Sequence, residues 1–414
     1  MALQGGVQVV LQHPSKDGGQ TCRGFTGIAN VTPAWFCVTA LHPGDAAIAS
    51  DVGSDIAAGL VSLGPSVVEV DPPCGGNGPM GECHARETPD CAKVLLPMVG
   101  SAQGKSSLIK GWPKPKELGH ICPVLGPSAN AATLPKSLTV INGVHWTPGD
   151  PAAISKILQL GGLISARPRL FISYLRAESQ ALAEQLHDHL IQHGFEVFLD
   201  RFSVKPGVDF QLRLTEELSR MGTVLVLESP GILKSNWVLH EVSFARKHRL
   251  GMLSLRLPVG KAVPGIPADS RMRISLAELD TEGRLIPAKL AAAGSLLKVL
   301  HARAERARIA YLRTNLSDTL LKNGFKTQGF DAGGIIVAKK STKEYAFAVR
   351  SLPAELADFH AIEGHRDHGR ETFVLAPAKH MDWQTRRSLT WMSDETDIGL
   401  EDEGDMLKLV RRLP

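Results

Sequence analysis

Residues 223–241 read TVLVLESPGILKSNWVLHE, and this stretch decides the fold of the middle of the chain. Its first five residues are apolar or β-branched, which is typical of a strand buried on both faces. Ser229-Pro-Gly231 then indicates a turn, and Ser235 or Asn236 can cap a following helix. Ligands of open α/β sheets bind outside the carboxyl ends of the strands, so Glu241, at the start of that helix, has the position of a site residue.

The sequence on either side continues the alternation of strands and helices. Strands are predicted at 169–174, 195–199 and 250–257. An amphipathic helix is predicted at 178–193, and a loop at 200–207 leads to a second helix at 208–220. Such alternation predicts a parallel sheet with crossover helices.

With these elements in place, residues 168–290 resemble a TIR domain, the Toll/interleukin-1 receptor homology module. The resemblance rests, in chain order, on Phe171-Ile-Ser-Tyr174, Arg176, Asp200, Pro206-Gly207, Phe210, Ser229-Pro230 and Ser235-Asn-Trp237-Val-Leu-His-Glu241. It implies a flavodoxin-like fold, which is a doubly wound, five-stranded parallel sheet.

The resemblance also implies an activity, because many prokaryotic members of the family hydrolyse NAD⁺. Their catalytic Glu lies four residues after a Trp at the start of the third helix, and Glu241 and Trp237 match that spacing. We therefore expect cleavage of the nicotinamide–ribose bond, with NAD⁺ as substrate and no cofactor. The implied substrate contacts are Phe171, Tyr174, Arg176, Phe210 and Trp237.

A reading without catalysis stays open. A Trp-x-x-x-Glu pair on a helix is commonly one packed aromatic ring and one solvated acid, and many TIR domains are adaptors, so this one could be a signalling scaffold. Family members generally act when assembled, so the resemblance implies self-association, with the loop at 200–210 as the assembly element. It also implies a role in bacterial antiphage defence, with an unknown protein or phage-derived trigger bound by the flanking domains.

The N-terminal block, residues 1–155, contains short β-branched runs broken by Gly and Pro, which predicts mostly β structure. Residues 24–42 resemble the strand pair that leads to the histidine of chymotrypsin-like serine proteases, here His42. Asp55 matches the aspartate region of that family. The resemblance implies a degenerate trypsin-like double barrel, although an ordinary histidine after a strand is the alternative for His42.

The nucleophile position of this protease-like block is occupied by Pro151, within Thr147-Pro-Gly-Asp-Pro151. Proline offers neither a hydroxyl to attack a carbonyl nor an N–H for an oxyanion hole. We therefore expect the N-terminal block to be inactive as a protease and to act as a sensor or docking domain.

All six cysteines lie in the first third of the chain. Cys74, Cys83, His84 and Cys91 are weak candidates for a zinc site, because paired zinc ligands usually stand two to four residues apart. Free thiols are the alternative, and we expect no metal centre.

Residues 291–414 begin with a helical stretch and continue with strands such as 345–349 and 373–376, which predicts an accessory α+β domain. The segment after Asp331 resembles restriction-endonuclease-like folds. However, residues 347–349 lack the carboxylate and lysine that metal binding in such folds requires, so nuclease activity is not expected.

The net charge of +4 over 414 residues is small, and it gives no indication of nucleic acid as a partner. No apolar stretch approaches the roughly 18–20 residues needed to span a bilayer, so no membrane partner is expected. The first residues lack both a basic and an apolar segment of a signal peptide. We therefore expect a cytoplasmic location.

Overall fold

The computed structural model describes residues 6–14, 20–28, 34–41, 43–62, 66–70, 92–100, 120–134, 138, 141–161, 163, 165, 167–199, 210–330 and 334–414. The chain divides into two compact units. The first is Met1–Ser165 with Phe330–Gly334, and the second is Ala166–Gly329 with Ile335–Pro414. No helix within the described ranges is long and apolar enough to cross a membrane.

The first unit is built around a mixed sheet. Its described elements are β1 (Gly6–Pro14), β2 (Gln20–Ile28), β3 (Ala34–Ala40), α1 (Ala46–Ser62), β4 (Ser66–Val70), β5 (Ala92–Val99), β6 (His120–Ile121), β7 (Val124–Leu125), β8 (Val144–His145) and α2 (Pro151–Leu160). The strand order is β4-β2-β1-β3-β5-β7-β8, with β6 also paired to β5. Strands β1, β3, β5, β7 and β8 are parallel neighbours, whereas β2 runs antiparallel to β1 and β4.

This sheet corrects the trypsin-like double barrel predicted for residues 1–155. Barrels of that type consist of antiparallel strands, but β3 pairs in parallel with both β1 and β5. Parallel neighbours need a long crossover connection, usually a helix, and the 17-residue α1 lies between β3 and β5 in the chain. The described part of the first unit is therefore an α/β arrangement.

Asp55, predicted as the aspartate of a degenerate triad, lies on α1 and has a structural role. Its Oδ2 accepts hydrogen bonds from the indole Nε1 of Trp146 at 3.0 Å and from the backbone N–H of Gly149 at 2.8 Å. Because Trp146 is fully buried, its N–H needs a partner within the protein. His42, the predicted histidine of the triad, lies outside the described residues.

Pro151, at the predicted nucleophile position, is the first residue of α2. The preceding Asp150 is the N-cap, and its side chain accepts hydrogen bonds from the N–H groups of Ala152 and Ala153. Proline suits the first helical position because its fixed φ matches the helix and its missing N–H has no helical partner there. The Asp-Pro pair therefore begins a helix.

The second unit begins with a parallel sheet. Its elements are β9 (Arg169–Ser173), α3 (Arg176–Gln192), β10 (Glu196–Leu199), α4 (Phe210–Arg220), β11 (Thr223–Glu228), α5 (Asn236–Lys247), β12 (Gly251–Arg256) and β13 (Arg271–Arg273). The order is β10-β9-β11-β12-β13, and all four pairs of neighbouring strands are parallel. The predicted flavodoxin-like sheet is thus confirmed.

Both faces of this sheet are covered, which explains its nearly continuous apolar strands. Leu170 and Ile172 of β9 pack in the core cluster that contains α3, whereas Phe171 between them packs on the opposite face with α5. This alternation follows from the two-residue period of a strand. All six residues of β11 are buried.

The second unit continues with a long helix and a second sheet. The elements are α6 (Pro287–Lys322), β14 (Lys326–Phe330), β15 (Ile335–Lys340), β16 (Lys343–Val349), α7 (Leu356–Asp367), β17 (Glu371–Ala376), α8 (Trp383–Thr396), β18 (Gly399–Asp402) and α9 (Met406–Arg412). The strands follow their chain order in the sheet. Strand β16 is antiparallel to β15 and parallel to β17, which is parallel to β18.

Helix α6 is shared by the two sheets of the second unit. Leu297 and Leu300 belong to the core cluster of the first sheet, and the same helix contacts β15 and β16 of the second. The predicted domain boundary between residues 290 and 291 falls inside this 36-residue helix.

Candidate functional site

Helix α5 begins beyond the carboxyl end of β11, as the sequence predicted. Ser235 is the N-cap, and its side chain accepts a hydrogen bond from the N–H of Val238 at 3.3 Å. Trp237 is the second residue of the helix, and Glu241 follows one turn later. Residues four apart lie on the same side of a helix, so the two side chains share one face.

The exposures of these two residues are the reverse of the ordinary pattern for such a pair. Glu241 is only 6% exposed, whereas Trp237 is 43% exposed. Burial of a carboxylate costs free energy unless hydrogen bonds replace the lost water, and exposure of a large indole gives up favourable burial. This arrangement therefore differs from a packed aromatic ring beside a solvated acid.

Ser173 is a partner of the buried carboxylate. It is the last residue of β9, is itself buried, and its hydroxyl donates a short hydrogen bond to Oε2 of Glu241. This contact fixes Glu241 against the carboxyl end of the sheet. Ser173 lies within the motif at residues 171–174, but no role was predicted for it, although a hydroxyl that ends an apolar strand at the ligand-binding edge was the available signal.

A second contact holds together the loops that flank this edge. Glu178 of α3 accepts a hydrogen bond from the N–H of Gly231 at 2.8 Å. The nearby Ser229 hydroxyl and the hydrogen bond from the Gly231 N–H lower the pKa of Glu178 from its usual value. A Cβ at position 231 would lie 2.5 Å from Oε1 of Glu178, so a larger residue here would displace the Glu178 carboxylate. The loop after β11 is thereby tied to α3.

Glu228, another buried acid at this edge, has a structural role. Its carboxylate is paired with Arg271, from Nε at 2.9 Å and from Nη2 at 3.1 Å, and it also accepts the N–H of Val263 at 2.8 Å. Such a bidentate pair satisfies the charge within the fold. Glu228 therefore joins β11 to β13.

The other predicted contacts have different positions. Tyr174 and Arg176 directly follow β9, the first half-buried and the second exposed, so both lie at the same edge as Ser173. Phe171 is fully buried and stacks on Phe198 with ring centroids 5.2 Å apart. Phe210 is the first residue of α4, and its side chain lies outside the described residues.

Residues 200–209 of the predicted assembly loop lie outside the described residues. The same is true of the four zinc candidates, Cys74, Cys83, His84 and Cys91. Within the described ranges, no group of three or more His, Cys, Asp or Glu side chains could hold a metal ion. Cys37 and Cys122 are buried cysteines. Burial raises the pKa of Cys122 to about 11, which disfavours the reactive thiolate.

Comparison with known proteins agrees with the fold of this sheet. A family model described as TIR domain matches residues 170–289. The chain is 30% identical over 73 residues to 2′ cyclic ADP-D-ribose synthase BtTIR of Bacteroides thetaiotaomicron, a stretch that makes up 18% of this chain. The chain thus spans only a quarter, 25%, of that relative's length.

Two solved structures show weaker similarity. One contains the TIR domains of the activated Roq1 resistosome directly recognizing the pathogen effector XopQ. The match has 16% identity and a TM-score of 0.21, and it covers 34% of this chain and 84% of that chain. The other is proximal thread matrix protein 1 from the mussel byssus, with 14% identity, coverage of 56% and 76%, and a TM-score of 0.19. The fold assignment rests instead on the observed strand order and on the family match. The chain contains a TIR domain, matched at residues 170–289.

Proposed function

We propose that the TIR domain cleaves NAD⁺ at the nicotinamide–ribose bond, with Glu241 as its catalytic carboxylate. The observation that carries the proposal is the burial of Glu241 at the carboxyl edge of a parallel sheet, hydrogen-bonded by Ser173 and one turn after the exposed Trp237. The relative named as a 2′ cyclic ADP-D-ribose synthase supports NAD⁺-type chemistry through its 73 aligned residues.

The chemistry of the leaving group explains how one carboxylate can be sufficient. When the bond between the anomeric carbon and the pyridinium nitrogen breaks, its electron pair stays on the nitrogen, and nicotinamide leaves as a neutral molecule. A typical glycosidase needs a second carboxyl group to protonate its leaving oxygen, and this reaction does not. Positive charge develops on the ribose, where the Glu241 carboxylate stabilises it.

The second half of the reaction supplies a new bond to the anomeric carbon. A water molecule gives ADP-ribose, and a hydroxyl of the same nucleotide gives a cyclic product. The attacking oxygen loses its proton to Glu241 or to solvent. Exclusion of water from the site therefore decides between the two products.

The neighbouring residues have separate roles in this proposal. Ser173 is a positioning residue that orients the carboxylate. The exposed ring of Trp237 forms a wall against which a ring of the substrate packs, and Arg176 binds phosphate. Phe171 has no exposed surface, so we assign it to support beneath the site. Tyr174 and Phe210 remain predicted contacts.

A non-catalytic scaffold remains the alternative function. Trp237 and Leu239, which are 43% and 41% exposed, offer an apolar surface at the start of α5 that would also suit self-association. Assembly through the TIR domain, a trigger bound by the flanking parts of the chain and a role in antiphage defence all stay predictions.

The proposal is tested by nicotinamide release from NAD⁺, followed by chromatography, with the full chain in dilute and in crowded solution. We expect release by the wild-type protein and a loss of about 100-fold or more in Glu241→Gln, in line with the loss of a group that stabilises transition-state charge. Glu282→Gln, an exposed carboxylate of the same unit, is the matched control and should keep full activity. Absence of release by the wild-type protein in the crowded sample would support the scaffold.

A further inference from the structure

A cavity of about 620 Å³ lies within the second unit, away from the Glu241 edge. Its walls come from the end of α5, from α6 and from the loops that follow β17 and β18. Small-molecule sites typically have volumes of roughly 300–1,000 Å³, so this cavity has the size of a ligand site.

The lining of this cavity carries an excess of positive charge. Lys247, Arg249 and Lys379 are exposed, and no carboxylate of the described ranges lies within ion-pair distance of any of them. Lys247 and Arg249 lie at the end of α5, whereas Lys379 follows β17. The three cations therefore do not all belong to one helix end. Cations that converge on one concave surface attract an anion.

The lining has two acidic residues, of which Asp402 has both carboxylate oxygens engaged and Glu403 has one. Glu403 pairs with Arg308 at 2.8 Å, and Oδ2 of Asp402 accepts the backbone N–H groups of Ala378 and Lys379 at 2.9 and 2.8 Å. These carboxylates therefore shape the wall, and neither forms an ion pair with Lys247, Arg249 or Lys379.

The cavity also presents polar groups that lack a hydrogen bond. Nε2 of His248 and Oε2 of Glu403 are buried without a hydrogen-bond partner. Burial, followed by the charges of His380 and Lys247, lowers the pKa of His248 to about 4, and burial also lowers the pKa of His380. Both imidazoles are thus neutral at pH 7, where each can give or accept a hydrogen bond.

Arg249 lies at the rim in a backbone conformation that glycine would adopt more easily. Its φ is 52°, which costs a residue with a Cβ roughly 1 kcal/mol or more. Its guanidinium lies over the ring of Tyr311 on α6, 3.8 Å from the ring centroid. This contact holds a cation at the entrance and offers a stacked surface for a planar group.

We propose that this cavity binds a phosphorylated small molecule of mononucleotide size, with its phosphate facing Lys247, Arg249 and Lys379 and its uncharged part against the Tyr311 side. Such a ligand would join the end of α5 to the second sheet. The site is distinct from the Glu241 edge, and the proposal does not depend on NAD⁺ cleavage.

Titration calorimetry of the full chain tests the proposal with three probes, which are adenosine 5′-monophosphate, inorganic pyrophosphate and uncharged adenosine. We expect saturable binding of the monophosphate and of pyrophosphate, weaker at higher salt. We expect at least tenfold weaker binding of adenosine than of the monophosphate. Adenosine that binds as tightly as the monophosphate would overturn the role of the phosphate.

Charge-reversal variants assign the binding to this cavity. Lys247→Glu and Lys379→Glu should each weaken the binding of adenosine monophosphate by about tenfold or more, whereas Lys322→Glu, an exposed lysine near the end of α6, should leave it unchanged. Lys379 follows β17 of the second sheet. Weaker binding in Lys379→Glu would therefore assign the ligand to this cavity and not to the Glu241 edge. Absence of saturable binding, or binding that neither reversal weakens, would refute the proposal.

Discussion

A carboxylate buried at a sheet edge needs hydrogen-bond donors, and the donor identified for Glu241 is the hydroxyl of Ser173. The contact joins Ser173, the last residue of β9, to Glu241 in the second turn of α5, and the two residues are 68 positions apart in the chain. It fixes the direction in which the acid points without adding a compensating charge. At the scale of single residues, this pair therefore defines the site.

Ser173→Ala should reduce NAD⁺ cleavage because the carboxylate loses the donor that orients it. We expect kcat to fall by about tenfold with KM little changed, in line with the loss of one hydrogen bond to a charged group. Ser173→Thr keeps the hydroxyl and should restore most of the rate. Steady-state kinetics on the three proteins give kcat and KM. Equal kcat values in wild type and Ser173→Ala would show that Ser173 does not orient the catalytic carboxylate.

His301 gives a prediction for the stability of the second unit at low pH. Burial lowers the pKa of His301 to about 4 from its usual 6.5. Between these values the unfolded chain binds more protons than the folded one, so the free energy of unfolding falls as the pH falls from 6.5 to 4. The loss amounts to about 3.5 kcal/mol at most, since one pKa unit corresponds to about 1.4 kcal/mol.

The variant His301→Leu should lose this part of the pH dependence. Denaturant unfolding at pH 7.5 and at pH 5 measures the difference for each protein. His360→Leu is the control because this histidine is exposed, and it should behave as the wild type does. The same pH dependence in His301→Leu and in wild type would show that His301 does not contribute.

At the scale of elements, local patterns predicted the TIR sheet well. The apolar run of β11 and the Ser235 cap of α5 were both visible in the sequence, because each depends on neighbouring residues. Whether Glu241 or Trp237 is buried depends on how α5 docks on the sheet, and no local pattern reports that. The role of Ser173 was missed for the same reason, since its partner is distant in the chain.

The first unit was predicted less well, for a related reason. Short β-branched runs indicate strands but do not distinguish parallel from antiparallel pairing. The parallel pairing of β3 with both β1 and β5 therefore could not be deduced from those runs. The sequence Gly149-Asp-Pro151 resembled a protease motif, although it equally fits the helix N-terminus that the structure shows.

Asp55 connects α1 to the turn before α2, and its replacement tests this structural role. Asp55→Ala leaves the buried indole N–H of Trp146 without its partner, which should cost roughly 1–3 kcal/mol of unfolding free energy. Asp51→Ala, an exposed position on the same helix, should cost far less. Denaturant unfolding of both variants measures the difference, and equal stabilities would contradict the role assigned to Asp55.

At the scale of the whole molecule, the TIR sheet and the second sheet belong to one compact unit that shares α6. Arg308 of this helix reaches the second sheet through the backbone oxygen of Ser351 and through Glu403. Burial raises the pKa of Glu403, and the nearby Arg308 opposes that shift. The arginine therefore links the helix that packs on the TIR sheet to the loop after β18.

Arg308→Ala should destabilise the second unit by roughly 3 kcal/mol, because it breaks a largely buried ion pair and leaves the half-buried Glu403 carboxylate without its partner. Since the two sheets share α6, hydrogen exchange should become faster in β11 as well as in β16. Arg412→Ala, which removes a more exposed ion pair with Glu401, should cost about 1 kcal/mol or less. Faster exchange confined to the second sheet would contradict a shared cooperative unit.

A catalytic role for Glu241 on NAD⁺ can be distinguished from a purely structural role. The most direct measurement compares NAD⁺ affinity and nicotinamide release in the same samples of wild type and Glu241→Gln, with melting temperatures to show that both are folded. We expect Glu241→Gln to bind NAD⁺ within about threefold of wild type, while its release of nicotinamide falls by about 100-fold or more. Nicotinamide release at the wild-type rate by folded Glu241→Gln would contradict it.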